Sequence, residues 1–200
     1  MLARAVAVER PRSGGSDPAG YHTGIANGAR AVNDLLAWGL ARARQQTLSL
    51  VVDLPADRMC LQAVPGEHHA AWIVGHLLLG DSYLLSLLGV RDLPEDFQTL
   101  LARYGPGATP SSAPDLYDPK DSLVGRLTAT GSLRDGAVTR MTAADLERHT
   151  PDPVLAKSQP TIGHHLQGLA VHEGYHAGQL SAWRRAHGFA SARWVIASGE

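Results

Sequence analysis

Val171-His172-Glu173-Gly174-Tyr175-His176-Ala177-Gly178-Gln179-Leu180 sits inside a longer apolar-periodic segment, about Thr161 to His187. Leu166, Leu169, Leu180 and Trp183 recur there with helical spacing, so the segment reads as one amphipathic helix. Residues four apart on a helix are neighbours. His172 and His176 therefore project from one face with Cβ atoms about 6 Å apart, close enough for two imidazoles to hold one transition-metal ion. The chain has 10 histidines, and some pairs at this spacing arise by chance. The pair alone leaves two readings open: a metal site, or a helix with two partly exposed polar residues.

A second strong helix is expected from about residue 67 or 68 to Leu88, ended by Gly89 as C-cap. Trp72, His76, Leu79 and Tyr83 fall at i, i+4, i+7 and i+11, which puts His76 inside the buried stripe. A buried histidine must satisfy both ring nitrogens. A metal and one hydrogen bond would do so, as would bonds to a carbonyl or a carboxylate. Gly75 and Gly80 beside it would admit another helix at close range, or would loosen this one.

The remaining chain is also helical in pattern. A first helix is expected over about Tyr21 to Val52, with Ile25, Ala29, Val32, Leu36, Leu40 and Leu48 as its apolar stripe and Arg30, Arg42 and Arg44 on the wet side. From Val90 to Asp118 lies a long connection. A short helix starts at Leu93 and runs to about Tyr104, stopped by Gly105-Pro106-Gly107, and an aperiodic stretch follows. A connection of this length is usually a crossover or a lid, expected to border a site. Tyr104 and Tyr117 are candidates for substrate contact or for surface packing. Asp118 as N-cap and Pro119 at N1 open a third large helix to about Arg140, and Thr142 with Asp145 has the form of a capping box. Residues 149–160 read as loop, with Thr161 capping the last helix. The fold class is therefore all-α: a four-helix bundle with a long middle connection and short extra helices. Residues 1–20 are expected as a disordered leader, 21–188 as the bundle domain and 189–200 as a C-terminal tail.

The formal net charge of -1 supplies no electrostatic footprint for nucleic acid or an anionic membrane. A small-molecule substrate is the expected partner. The single cysteine, Cys60, excludes an internal disulfide framework and, between Met59 and Leu61, reads as a core thiol. No apolar run is expected to span a membrane, and MLARAVAV, broken by Arg4, does not match a signal peptide; a cytoplasmic location is expected.

If the last helix packs against the second, His76 faces His172 and His176. Structural zinc normally has four protein ligands, whereas three leave a position for water or substrate, an arrangement catalytic in type. An ion there would lower the pKa of bound water to about 7 or stabilise a thiolate or oxyanion. Imidazoles suit zinc, nickel, copper and iron alike. His165, seven residues before His172 and on nearly the same face, is a candidate fourth ligand, a group bonded to a ligand, or an ordinary cap-region residue. His68, His69 and His164 near helix starts, and His22, His149 and His187 near ends or loops, are expected to face solvent. Glu173 completes an H-E-x-x-H pattern and is a candidate general base, as in zinc peptidases. Against that class, Gln179 and Ala182 stand where a metzincin-type extension wants glycine and histidine. Glu173 also points about 100° away from His172, so a solvent-facing or salt-bridging role competes.

Trp72-Ile-Val-Gly75-His76-Leu77, together with His172-Glu-Gly-Tyr-His176-Ala-Gly-Gln179 and Arg184-Arg185, resembles the DinB-like superfamily of metalloenzymes. The resemblance implies a four-helix bundle, often a homodimer, with a divalent ion on His76, His172 and His176. Zinc or nickel is the first choice, iron or manganese the next. Some relatives are thiol-dependent transferases or isomerases and others are called hydrolases, so a low-molecular-weight thiol is a possible cofactor. The lead-in Glu67-His68-His69 departs from the usual pattern. The functional expectation is a metal-dependent enzyme performing hydrolysis or thiol S-transfer on a small electrophile. Its alternatives are a noncatalytic metal-binding or interaction protein, a dimeric stress-related bundle, and a zinc peptidase.

Overall fold

The described residues form six α-helices: α1 (Pro18–Val51), α2 (Ala70–Leu87), α3 (Phe97–Tyr104), α4 (Lys120–Val138), α5 (Ala143–Glu147) and α6 (Ile162–Ala186). The computed structural model describes residues 18–90 and 97–190, the side chains of 18–27 and 29 excepted. Among these residues there is no strand, only an isolated bridge between His149 and Thr161. The expected leader overlaps α1, which starts at Pro18, a residue suited to a first helical turn. Residues 1–17 of that leader, the Leu93 helix start and the tail beyond residue 190 lie outside the described residues.

Four long helices close a ring. α1 packs against α6 and α4, and α2 packs against the same two, so α1 and α2 occupy opposite corners. Side-chain pairings set the directions. Arg44 meets Glu173 while Arg184 reaches Leu50 and Asp53, so α1 and α6 run the same way. Asn33 meets Met141 and Arg44 meets Leu127, so α1 and α4 run oppositely. Tyr83 lies against His165 and His76 against His172, so α2 and α6 are antiparallel too. It follows that α2 and α4 are parallel. Successive parallel helices need a crossover, and this is why the middle connection is long.

The apolar stripe expected on α1 is met in part: Leu40 is buried and Leu36 and Leu48 pack partly buried against the core, Val32 is exposed, and the side chains of Ile25 and Ala29 lie outside the described ones. The buried face runs through Asn33, Ala37, Leu40, Arg44, Thr47 and Val51. Three of these are polar, so the hydrophobic pattern alone finds only part of the face. Arg44, expected in water, is 5% exposed because it has partners on three other helices. Its Nε and Nη2 donate to the two carboxylate oxygens of Glu173 on α6, at 2.6 and 3.1 Å. Its Nη1 donates to Asp81 of α2 at 2.8 Å, and to the carbonyl of Leu127 on α4. Arg134 of α4 donates to the other oxygen of Asp81 at 2.8 Å, and Thr130 Oγ1 also donates to this carboxylate. Two guanidiniums thus face two carboxylates, with one charged residue from each corner of the ring: Arg44 from α1, Asp81 from α2, Arg134 from α4 and Glu173 from α6.

Termini and short elements follow the sequence with two corrections. The capping box of Thr142 and Asp145 is present, and Thr161 caps α6 by accepting from His164 N–H. Asp118 does not cap α4, whose N-cap is Pro119; its carboxylate accepts from Tyr104 Oη and Arg103 instead. Arg184 is buried and clamped between Asp53, the carbonyl of Leu50 and that of Ala190, so the first two tail residues pack against the bundle. Over its 18 residues α2 is apolar enough to cross a membrane by length and composition, contrary to the expectation that no run would be. It carries His76 and Asp81 and is 72% buried inside the bundle, as a core helix is.

Gly75 is where α2 and the end of α3 touch. A Cβ there would overlap the ring of the fully buried Tyr104. At Gly80 an added Cβ would meet only Leu169 at 3.5 Å, ordinary contact. Gly75→Ala is therefore expected to destabilise the fold by about 1–3 kcal/mol through overpacking. Gly80→Ala is expected to be neutral or stabilising by about 1 kcal/mol through helix propensity. Urea midpoints of the two variants check this; equal midpoints would contradict the close approach.

Candidate metal centre

His76 projects from α2 towards α6, where His172 and His176 stand one turn apart. The Nε2 atoms of His76 and His172 are 3.1 Å apart, and those of His172 and His176 are 3.0 Å apart. Tetrahedral ligation at the usual zinc–nitrogen distance separates ligand atoms by about 3.3 Å, close to these two spacings, and the three ligand atoms all lie within 4.8 Å of one another.

The hydrogen bonds on the far sides of the rings argue the same way. His76 Nδ1 lies 2.7 Å from the carbonyl oxygen of Tyr104, which can only accept, so Nδ1 carries the proton and Nε2 a lone pair. His176 Nδ1 lies 2.7 Å from Gln179 Oε1 and is fixed in the same tautomer. His172 can place at most one proton between these two lone pairs. Three nitrogens meeting with at most one proton among them suit a shared cation, and the chain's residues fit a metal on this ground. Burial also keeps the imidazoles in the neutral form that ligates. It lowers the pKa of His76 and His172 below the usual histidine range, and burial followed by the neighbouring His172 and His76 pushes His176 down to about 3.

Trp72, one turn before His76, holds that ring from its face: the centroids are 4.7 Å apart and the planes 10° from parallel. His68 stacks on the other side of Trp72, with centroids 4.1 Å apart. His69 is fully buried rather than solvent-facing. It caps α2 by accepting from Trp72 N–H, its Nε2 meets the carbonyl of Ser111, and burial pushes its pKa down to about 4.

The remaining candidates lie elsewhere. His165 does not join the cluster; its Nδ1 is bonded to Gln159 Oε1. Among the described residues, the group able to hold an ion consists of His76, His172 and His176. Tyr104 and Tyr117 do not line the cavity beside the cluster: the first is a core residue whose hydroxyl donates to Asp118, and the second accepts from Ser111 N–H. The middle connection does border that cavity, through Phe97, Leu101 and Pro106. Cys60 is buried, with its thiol pushed up by burial, as a core cysteine should be.

Of the alternatives for Glu173, the structure shows the salt-bridging one rather than a position beside the histidines. Glu173 is 2% exposed and both carboxylate oxygens are held by Arg44, on the face of α6 turned into the ion network. The H-E-x-x-H pattern here places its glutamate in the core rather than beside a substrate. Sequence reading missed the network, the Tyr104 carbonyl and Gln159; the Gln179 bond had a signal, since Gln179 lies three residues after His176.

The sequence model of the DinB superfamily matches residues 40–180, a span that contains all three histidines. The chain belongs to the DinB superfamily. A search of curated proteins returned no match. Within this superfamily chain the sharpest local consequence concerns Glu173. Glu173→Gln, which removes one charge from a buried pair, is expected to cost about 3–5 kcal/mol of stability, while the fraction that stays folded, with the amide still able to bond Arg44, keeps its metal. Denaturation beside elemental analysis checks both, and an unchanged stability with metal lost would contradict the structural role.

Proposed function

We propose that this DinB superfamily protein is a metal-dependent enzyme acting on a small electrophile, by hydrolysis or by transfer of a thiol sulfur, at a divalent ion held by His76, His172 and His176. The observation that carries the reading is the convergence of three Nε2 atoms at the wall of a cavity that His76 and His172 themselves line. When bound, such an ion supplies Lewis acidity, polarising a substrate oxygen or making water or a thiol acidic near neutral pH. Zinc or nickel suits the all-imidazole donor set, with iron or manganese as further candidates and a low-molecular-weight thiol as the second cofactor.

The chain's own residues contribute orientation and shelter. The Tyr104 carbonyl and Gln179 fix the tautomers and ring planes of His76 and His176. Trp72 covers the face of His76, and the cavity holds the rest of the substrate out of water. A purely structural metal would be expected to have four protein ligands, whereas three such groups come together among the described residues. This favours an accessible site over a noncatalytic one.

A homodimer accompanies this proposal. Leu35 and Trp38 on α1, and Val171 and Tyr175 on the adjacent α6, are large and exposed, and a second copy covering them would remove that surface from water.

Metal-loaded protein assayed with low-molecular-weight thiols and with model esters and epoxides is expected to show turnover that requires both the ion and His172. Gln179→Ala is expected to weaken metal binding by about 10–100-fold without unfolding the chain. Turnover that survives both chelation and His172→Ala would contradict the proposal.

A further inference from the structure

The cavity beside the histidines has a volume of about 530 Å³, within the range of small-molecule sites. Leu79 and Leu169 line it from α2 and α6, Phe97 and Leu101 from α3, and Leu155 from the loop before α6. Its polar lining is sparse: Tyr83, Asp152, Gln159 and His165 besides the two cluster histidines, with no lysine or arginine among the described lining residues. An anionic substrate body would find no counter-charge among the described residues of this wall. It would meet the Asp152 carboxylate instead, whose Oδ1 accepts from the backbone N–H groups of Val154 and Leu155.

His165 is the polar group built most deliberately into the wall. It is 4% exposed, and its Nδ1 lies 2.5 Å from Gln159 Oε1. A carboxamide oxygen only accepts, so Nδ1 carries the proton and Nε2 is left as a lone pair. That Nε2 is buried without a hydrogen-bond partner and has almost no surface of its own, so a donor from the cavity reaches it only when the ring or a neighbour gives way. Gln159 is wedged over Gly168, where a Cβ would overlap its carboxamide, so a residue without a side chain makes room for the pair that sets this tautomer. Burial also holds the ring neutral by lowering its pKa. A buried acceptor without a partner carries a desolvation cost that a ligand's O–H or N–H would recover.

We infer that the cavity takes the body of an uncharged, mostly apolar substrate, and that His165 Nε2 selects those bearing a hydrogen-bond donor such as a hydroxyl. That the reacting end of this molecule is directed at His76 and His172 rests on the function proposed above; recognition by His165 does not require the ion.

The test uses the full chain with three probes of one size: 1-naphthol, naphthalene and 1-naphthoate. Binding is followed by calorimetry, first with EDTA and then, for the two neutral probes, with zinc. In both conditions 1-naphthol is expected to bind at least about fivefold more tightly than naphthalene, the effect of one recovered neutral hydrogen bond. In EDTA, 1-naphthoate is expected to bind more weakly than naphthalene. His165→Phe is expected to erase the preference by weakening 1-naphthol while leaving naphthalene unchanged. In the parent protein, the ¹⁵N resonance of His165 Nε2 is expected to shift with 1-naphthol and not with naphthalene, which keeps the test decisive if the variant fails to fold. Equal binding of 1-naphthol and naphthalene, a preference that persists in His165→Phe, an unmoved Nε2 resonance, or tight 1-naphthoate binding in EDTA would each overturn the inference. Selective binding in EDTA without metal uptake or turnover would support His165 recognition while defeating the proposed reaction. Metal-dependent turnover without selectivity for 1-naphthol would do the reverse.

Discussion

The guanidinium of Arg44 reaches α6 through Glu173, α2 through Asp81 and α4 through the Leu127 carbonyl, and Arg134 binds Asp81 from the other side. Burial alone would favour the neutral guanidine, but Asp81 and Glu173 more than reverse this, so Arg44 holds its proton more firmly than in water. Taking four charges out of water offsets much of what their attraction supplies, and a hydrophobic replacement of the whole set would be tolerable in energy. The consequence of the network is geometric. A helix that rotates or slides leaves a buried charge without its partner, at about 3–5 kcal/mol.

That constraint reaches the histidines through a single peptide step. Glu173 follows His172 and precedes His176 on α6, so anchoring its carboxylate to Arg44 fixes the rotation of the helix and turns both imidazoles towards α2. Asp81 does the same for α2 five residues after His76. Closer to the cluster, Tyr104 acts through two parts. Its ring packs against the bare Cα of Gly75, and its carbonyl takes the proton of His76 Nδ1. The site thus depends on helix placement for position and on backbone and carboxamide oxygens for tautomer, a division that lets three neutral imidazoles converge without a charged residue beside them.

Much of this was legible in the sequence. The spacing of His172 and His176, the place of His76 on an apolar stripe and the punctuation around α5 and α6 identify the bundle, and the resemblance carried by those motifs identifies the superfamily. What the residues did not disclose was polar chemistry inside the core. Arg44 reads as a wet residue because periodicity counts it as charged, and nothing local announces partners at positions 81, 127 and 173. The same blindness hid the polar part of the buried face of α1 and sent His69 to solvent. Glu173 misleads in the opposite sense, since a peptidase-like pattern gives it a catalytic look while the fold commits it to Arg44. Gln159 and His165 are six residues apart across a loop whose shape no periodicity records.

The superfamily assignment, the ring of four helices and the three facing imidazoles meet in one quantity, the amount of metal the chain carries. Elemental analysis of untagged protein purified without chelators, beside His76→Ala and His172→Ala, measures it. About one zinc, nickel, iron or manganese ion per chain in the parent and little in either variant is the predicted result. A parent that stays metal-free after incubation with each of these ions, or variants that retain as much metal as the parent, would contradict a shared three-histidine centre.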